Sequence, residues 1–318
     1  MAKILIYSEN QLNEGLFGEI FLWIFEILPI LENNDFDVAN LYWYVCSVNY
    51  GSIFPEILDY VNDDKNIQQP MNHTINFFEL RNIAPQYVLG DDFLKLNKLF
   101  FKYFKIPKQL DDVSSSLSLR DYLGLHYRGT DKTTDIGFNT PLTKEMFYTV
   151  VDSYIQTNNI KNIFIASDEN DVFDYFVTKY TDINFKSSRD FKGNLFWRNN
   201  ENPSLNAKMA MLDMLCLSKC NTVLKVSSAL SSFSKVINPS LNIYRINSLK
   251  FIPNPKHIPY FPDAYIPLLP TNEKYTEECN NIIKEVQQDD WSIQYPNIYN
   301  NFKNFDLKIR TLFDYDNM

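Results

Sequence analysis

Apolar residues come in short runs separated by polar stretches, a pattern that predicts buried strands alternating with amphipathic helices. Residues 3–7 (Lys-Ile-Leu-Ile-Tyr) predict a first strand, 15–31 a helix with a wide apolar surface, and 38–45 a second strand. Residues 54–61 predict another helix, 72–80 an extended segment, and 93–104 a helix rich in Leu, Phe and Tyr. Pro107 and the polar run Asp111-Asp112-Val113-Ser114-Ser115-Ser116 follow, and a domain boundary is expected at 110–118.

Beyond 118 the alternation becomes regular. Met146, Phe147, Val150, Val151, Tyr154 and Ile155 recur at helical spacing behind Thr143, an N-cap residue type, so 144–157 predicts an amphipathic helix. Strands are expected at 162–166, 183–185, 222–226 and 242–246, and helices at 171–180, 206–218 and 231–237. Strand-helix-strand order of this kind defines a parallel, doubly wound sheet over 118–250. Six prolines between 251 and 270 exclude a regular element there, and an extended crossover strap is expected. A polar helix near 272–288 and a Tyr/Asn-rich tail complete the chain.

The fold expected is therefore α/β, with three parts. Residues 1–115 form an N-terminal α/β domain, 116–250 a Rossmann-like domain, and 251–318 a crossover and helix that return to the first domain.

Composition narrows the function classes. The 318 residues are 45% hydrophobic and 15% aromatic, enough for a folded core. A net charge of −9 supplies no field for a nucleic-acid backbone or an anionic membrane, so a phosphate must be gripped locally. Four cysteines without CxxC spacing suit a reducing, cytoplasmic setting. Cys216 and Cys220 share a helix face, but core packing explains them better than a metal does. The opening residues read as a strand rather than a signal peptide, and the apolar run 21–31 is too short for a bilayer, so no membrane segment is expected.

The chemistry concentrates in 122–135, Tyr-Leu-Gly-Leu-His-Tyr-Arg-Gly-Thr-Asp-Lys-Thr-Thr-Asp. Its apolar start predicts a buried strand that delivers His126, Arg128, Asp131, Lys132 and Asp135 to the carboxyl edge, where open α/β sheets bind ligands. His126 and Arg128 are two apart and share a side, and a guanidinium fork matches phosphate oxygens. An ordinary charged strand end has the same sequence pattern.

Two further constellations follow. Residues 163–169 (Ile-Phe-Ile-Ala-Ser-Asp-Glu) form a strand ending in hydroxyl and carboxylates; Asp168 can orient the Arg128 loop by hydrogen bonds, or cap the next helix, as can Asp171. Asp213 is a lone carboxylate among Met211, Leu212, Met214 and Leu215, so it requires a partner, either a guanine edge or an Arg. After the strand 222–226, Ser227 and Ser228 open a helix whose free N–H groups suit a phosphate without a Gly-rich loop. Ser231 and Ser232 offer a second register, and an ordinary serine cap looks identical. The polar loop 8–15 lacks both G-x-G-x-x-G and the P-loop pattern, which argues against the common dinucleotide and ATP sites.

His126-Tyr127-Arg128-Gly129-Thr130-Asp131-Lys132 resembles the first motif, His-x-Arg-Arg-Thr-Asp-Lys, of the fucosyltransferase superfamily that includes the α1,6-fucosyltransferases and the nodulation fucosyltransferases. Gly129 stands where those enzymes often carry a second Arg. Residues 163–169 and 211–234 are similar to the second and third motifs, in the expected order. The resemblance implies a GT-B-like fold, two Rossmann-like domains facing a cleft. It implies that His126 and Asp213 help bind a guanine nucleotide while Arg128 and Ser228 hold the donor β-phosphate. Lys132 matches the family's Lys. Asp135 matches its Glu after a one-residue gap, making it the candidate base, with Asp131 second.

The implied activity is an inverting, metal-independent glycosyltransferase using GDP-fucose as donor, with no other cofactor, and a glycan hydroxyl as acceptor. Arg128 would stabilise charge on the departing diphosphate by about 3–4 kcal/mol. UDP-xylose or another GDP-sugar remains an alternative donor. A metal-dependent D-x-D enzyme through Asp35/Asp37 or Asp314/Asp316, and a non-catalytic carbohydrate-binding protein, are the rival readings.

Overall fold

The computed structural model describes residues 3–8, 12–35, 37–62, 71–83, 90–129, 139–188, 202–250 and 261–303. The chain enters through β1 (Ile4–Tyr7), a π-helical turn Leu16–Phe21 and α1 (Leu22–Asn33). The predicted single helix is thus two segments, and it continues past residue 31 with Pro29 inside α1. The second strand, β2 (Leu41–Tyr44), begins later than expected because Asp37 accepts from the Ala39 amide and closes a 3-10 turn over Val38–Asn40.

Two short strands, β3 (Cys46–Ser47) and β4 (Gly51–Ser52), pair antiparallel. The helix predicted at 54–61 does not form: residues 54–57 turn and β5 (Asp59–Tyr60) pairs with a later segment. Phe54 precedes Pro55, which disfavours helical backbone at Phe54. Its ring stacks instead on Trp43, with centroids 5.5 Å apart.

The segment expected to be extended over 72–80 is a strand only in its first half. β6 (His73–Asn76) ends where Asn76 accepts from the Phe78 amide at 2.8 Å, a side-chain cap that starts α2 (Phe77–Ile83). β1 lies between β2 and β6 in a parallel three-stranded sheet.

α3 (Phe93–Tyr103) leads into β7 (Phe104–Lys105), the partner of β5. The Ser-rich run placed at a boundary is helical, α4 (Lys108–Ser116). Its hydroxyls bond back to the helix, Ser114 to Asp111 O at 3.0 Å and Ser116 to Val113 O at 2.7 Å, while Leu110 is buried. One buried face outweighs the weak helix preference of three serines.

The second sheet contains β8 (Leu123–Tyr127), β9 (Asn162–Ser167), β10 (Asn184–Ser187), β11 (Thr222–Lys225) and β12 (Asn242–Arg245). α5 (Lys144–Asn158), α6 (Asn170–Lys179), α7 (Pro203–Ser218) and α8 (Ala229–Ile237) alternate with these strands. The sheet is parallel throughout in the order β10-β9-β8-β11-β12, as a doubly wound fold requires. Thr143 caps α5 as expected, accepting from the Met146 amide.

α7 is buried nearly all round, consistent with its lack of a polar stripe. It presses on Gly124 of β8, where an added Cβ would lie 2.9 Å from Val223 Cγ2 and 3.0 Å from Leu217 Cδ2. Cys216 and Cys220 pack at its end, where burial pushes both thiols up from their ordinary values.

Residues 251–260 of the predicted strap lie outside the described residues. Its remainder contains a 3-10 turn, Asp263–Tyr265, and a bridge between Leu268 and Arg245. Thr276 then caps α9 (Glu277–Gln287), and the tail forms α10 (Trp291–Gln294) and α11 (Pro296–Lys303). One buried hydrophobic cluster is shared by the two sheets. Phe233 of α8 meets Phe17, Phe21 and Phe25 at 5.8, 5.7 and 5.2 Å, and Phe261 of the strap at 5.9 Å.

Candidate functional site

In the order β10-β9-β8-β11-β12 the winding reverses between β8 and β11, and beyond the carboxyl ends of those strands lies the crevice where such sheets bind ligands. His126 pairs in register with Lys225, and Val226 donates to His126 O at 3.1 Å. Adjacent strands therefore bring the two segments singled out above, 126–129 and 227–232, to one place.

β8 extends through His126 and Tyr127, so His126 is buried, 4% exposed. Its Nδ1 lies 3.0 Å from Ser231 Oγ. Burial, then the charges of Lys225 and Arg128, push its pKa down to about 3 against the pull of Asp263. The imidazole is thus neutral at physiological pH. Arg128, half-buried, stands one residue past the strand, and the following amide, Gly129 N, donates to Asp168 Oδ1 at 3.1 Å. Asp168 does not cap α6; Glu169 occupies that position without a side-chain cap bond.

Gly129 has a local explanation. A Cβ added there would lie 1.8 Å from Glu169 Oε1 and 2.9 Å from Tyr127 Cε1. The space of a larger side chain is thus filled by Glu169, which pairs with Lys144; Lys144 also holds Asp171 at 2.5 Å.

On the other strand, β11 carries Lys225 into the interior, 0% exposed, paired with Asp263 of the strap. Lys225 Nζ also donates to Ser228 O at 2.7 Å and Ser232 Oγ at 2.6 Å. Ser227 Oγ donates to Asp263 Oδ2 at 2.6 Å, and Ser232 Oγ to Oδ1 at 2.7 Å. Burial alone would raise the Asp263 pKa, but Lys225, Arg245 and the Ser227 hydroxyl hold it down to about 2. Asn247 accepts from Ser227 N and donates to Thr140 O, both at 2.7 Å.

These contacts separate the four serines. Ser227, Ser231 and Ser232 all have side-chain partners, whereas Ser228 Oγ, in a residue 2% exposed, has none among the described residues. Ser228 is the N-cap of α8 but makes no side-chain cap bond. A buried hydroxyl without a partner costs about 1–3 kcal/mol, and the first amides of a helix lack intrahelical acceptors. Both sit at one point of the crevice.

Asp213, 7% exposed on α7, accepts from Ser188 Oγ just after β10. Thr130, Asp131, Lys132 and Asp135 lie outside the described residues. Asp37 of the first D-x-D pair is spent on Ala39 N and Asn40 Nδ2, and both its acids precede β2, at the end of the strand opposite the ligand-binding edge. Asp314 and Asp316 lie outside the described residues.

Sequence reasoning missed Lys225, Asp263 and Asn247. Lys225 did leave a signal, a single lysine inside Val223-Leu224-Lys225-Val226. Asp263 left none, being 38 residues away among prolines.

Fold and site together define an α/β protein with a buried polar cluster at the switch point of a doubly wound sheet. No protein-family model matches the chain, and no curated protein does. Among solved structures, it is similar to NodZ alpha-1,6-fucosyltransferase soaked with GDP-fucose, at 14% identity and TM-score 0.42 over 74% of this chain and 93% of that one. It is also similar to fucosyltransferase NodZ from Bradyrhizobium, at 12% identity and TM-score 0.44 over 75% of this chain and 95% of that one. POFUT1 in its apo form matches at 9% identity and TM-score 0.47 over 76% of this chain and 97% of that one. Likenesses this remote assign no activity to the chain. Among the described residues no helix is long and apolar enough to cross a membrane.

Proposed function

We propose that the protein is a glycosyltransferase that binds a nucleoside-diphosphate sugar in the β8/β11 crevice, with GDP-fucose as donor and a glycan hydroxyl as acceptor. The observation that carries this reading is Ser228, a buried hydroxyl without a partner among the described residues at the N-cap of α8, beside the strand that carries His126 and leads into Arg128. A diphosphate oxygen satisfies the hydroxyl and the helix amides at once. The ordered motif resemblance supplies the donor class.

In this reading Arg128 and Ser228 bind the β-phosphate, with Ser227 holding the turn, while His126 and Asp213 contact the guanine nucleotide. His126 acts as a neutral hydrogen-bonding group. The bond from the anomeric carbon to the β-phosphate oxygen breaks, and its electron pair leaves with the diphosphate. The acceptor oxygen attacks the opposite face, inverting the centre, and its proton passes to Asp135, with Asp131 as second candidate base and Lys132 as a further catalytic side chain. Arg128 meets the charge that grows on the leaving group without a metal.

In the division proposed for the chain, 1–115 serves the acceptor, 116–250 the donor, and 251–318 returns to the first part; the setting proposed is cytoplasmic. Turnover of GDP-fucose with a glycan acceptor in EDTA tests the reading, with Arg128→Ala as control. Loss of turnover on chelation, or full activity in the variant, contradicts it. GDP binding with no transfer to any acceptor leaves a carbohydrate-binding protein instead.

A further inference from the structure

Four serines crowd the start of α8; His126 engages Ser231, and a residue contributed by the strap engages Ser227 and Ser232. Asp263 is buried, 3% exposed, and accepts from Ser227 and Ser232 while pairing with Lys225. Lys225 in turn holds the carbonyl of Ser228. The same strap reaches the first half of the chain through Phe261, whose ring lies 5.9 Å from Phe25 and 6.3 Å from Phe93. Its backbone joins β12, Arg245 donating to Pro267 O at 2.8 Å and Leu269 to Arg245 O at 2.9 Å.

We propose that Asp263 is a positioning residue for the diphosphate site: by occupying the hydroxyls of Ser227 and Ser232 and the ammonium of Lys225, it fixes the first turn of α8 so that Ser228 Oγ and the helix amides are left for the phosphate. The proposal rests on the functional reading above. It has an electrostatic side as well. Lys225 and Asp263 form a buried ion pair under the helix start, so loss of the carboxylate removes a compensating charge there. Asp263 touches no reacting atom; it acts through the serines and the lysine.

The test is calorimetric titration of the full chain with GDP, well below the melting temperature, for wild type, Asp263→Asn, Ser228→Ala and the double variant. Each single variant is expected to weaken GDP about tenfold, and the double variant no more than Asp263→Asn alone, because without Asp263 the Ser228 contact is already lost. Lys225→Met combined with Asp263→Leu removes both charges without leaving either unpaired, and it should weaken GDP to the same degree if Asp263→Asn does not fold. Unchanged or tighter binding in the folded Asp263 variants, or losses that multiply in the double variant, overturn the inference while leaving the functional reading in place. A wild-type chain that binds no GDP overturns both.

Discussion

Gly129 N donates to Asp168 Oδ1 across 3.1 Å, so the end of β9 fixes the backbone immediately after Arg128. A carboxylate that accepts from an amide is a stronger tether than a neutral pair. Asp168→Ala leaves that amide without its acceptor and should weaken GDP binding about tenfold, the equivalent of about 1.4 kcal/mol. Asp168→Asn retains an accepting oxygen and should keep most of the affinity. Calorimetry on the two variants checks the order.

The contact between Gly129 and Glu169 gives a second expectation. Gly129→Ala drives a methyl toward Glu169 Oε1 and the Tyr127 ring and disturbs the pair with Lys144. Overpacking of this kind costs about 1–3 kcal/mol. Urea denaturation should show that loss, and Glu169→Ala in the same chain should recover most of it.

His126 gives the pH dependence a sign. Its pKa is lower in the folded chain, about 3, than the ordinary 6.5, so the unfolded state binds the proton more readily. Stability is therefore complete above about pH 6.5 and falls as the pH drops from there toward about 3, with a limiting slope of about 1.4 kcal/mol per pH unit. Asp263, held near 2, contributes only around and below its ordinary 3.8, and the lowered Glu56 and Glu145 around and below their ordinary 4.5, so the window from about pH 6.5 to about 5.5 is where His126 leads. His126→Asn, whose side-chain amide can either donate to or accept from Ser231, should flatten the urea midpoint across that window.

Phe233 tests whether the two sheets share one core. It is 1% exposed and meets three aromatic rings of the first half and one of the strap. Phe233→Ala should cost about 3–5 kcal/mol and lower a single melting transition. Two transitions in calorimetry, with one unmoved, would show that the halves unfold separately.

The parts legible in the sequence were those decided locally. The buried strands of the second sheet are apolar runs too short to be helices, and Thr143 ahead of a periodic stretch marks the start of α5. His126, Arg128 and Asp168 could be placed because strand ends in such a sheet share an edge. The failures have local causes too. Proline after Phe54 and the Asn76 cap redirected two segments of the first half, and burial of Leu110 made a Ser-rich run helical.

The choice among Ser227, Ser228, Ser231 and Ser232 was unreadable for a different reason. It depends on which hydroxyls Asp263 and His126 occupy, and those partners arrive from 31 to 105 residues away. Lys225 and Asp263 were hidden likewise, since a buried ion pair leaves no periodic mark.

The central claim is that a diphosphate binds where Ser228 stands unpartnered, and titration of GDP into wild type and Ser228→Ala tests it most directly. The account predicts saturable one-site binding that is about tenfold weaker without the hydroxyl, the equivalent of about 1.4 kcal/mol. No heat of binding in the wild type, or equal affinity in both proteins, would contradict it.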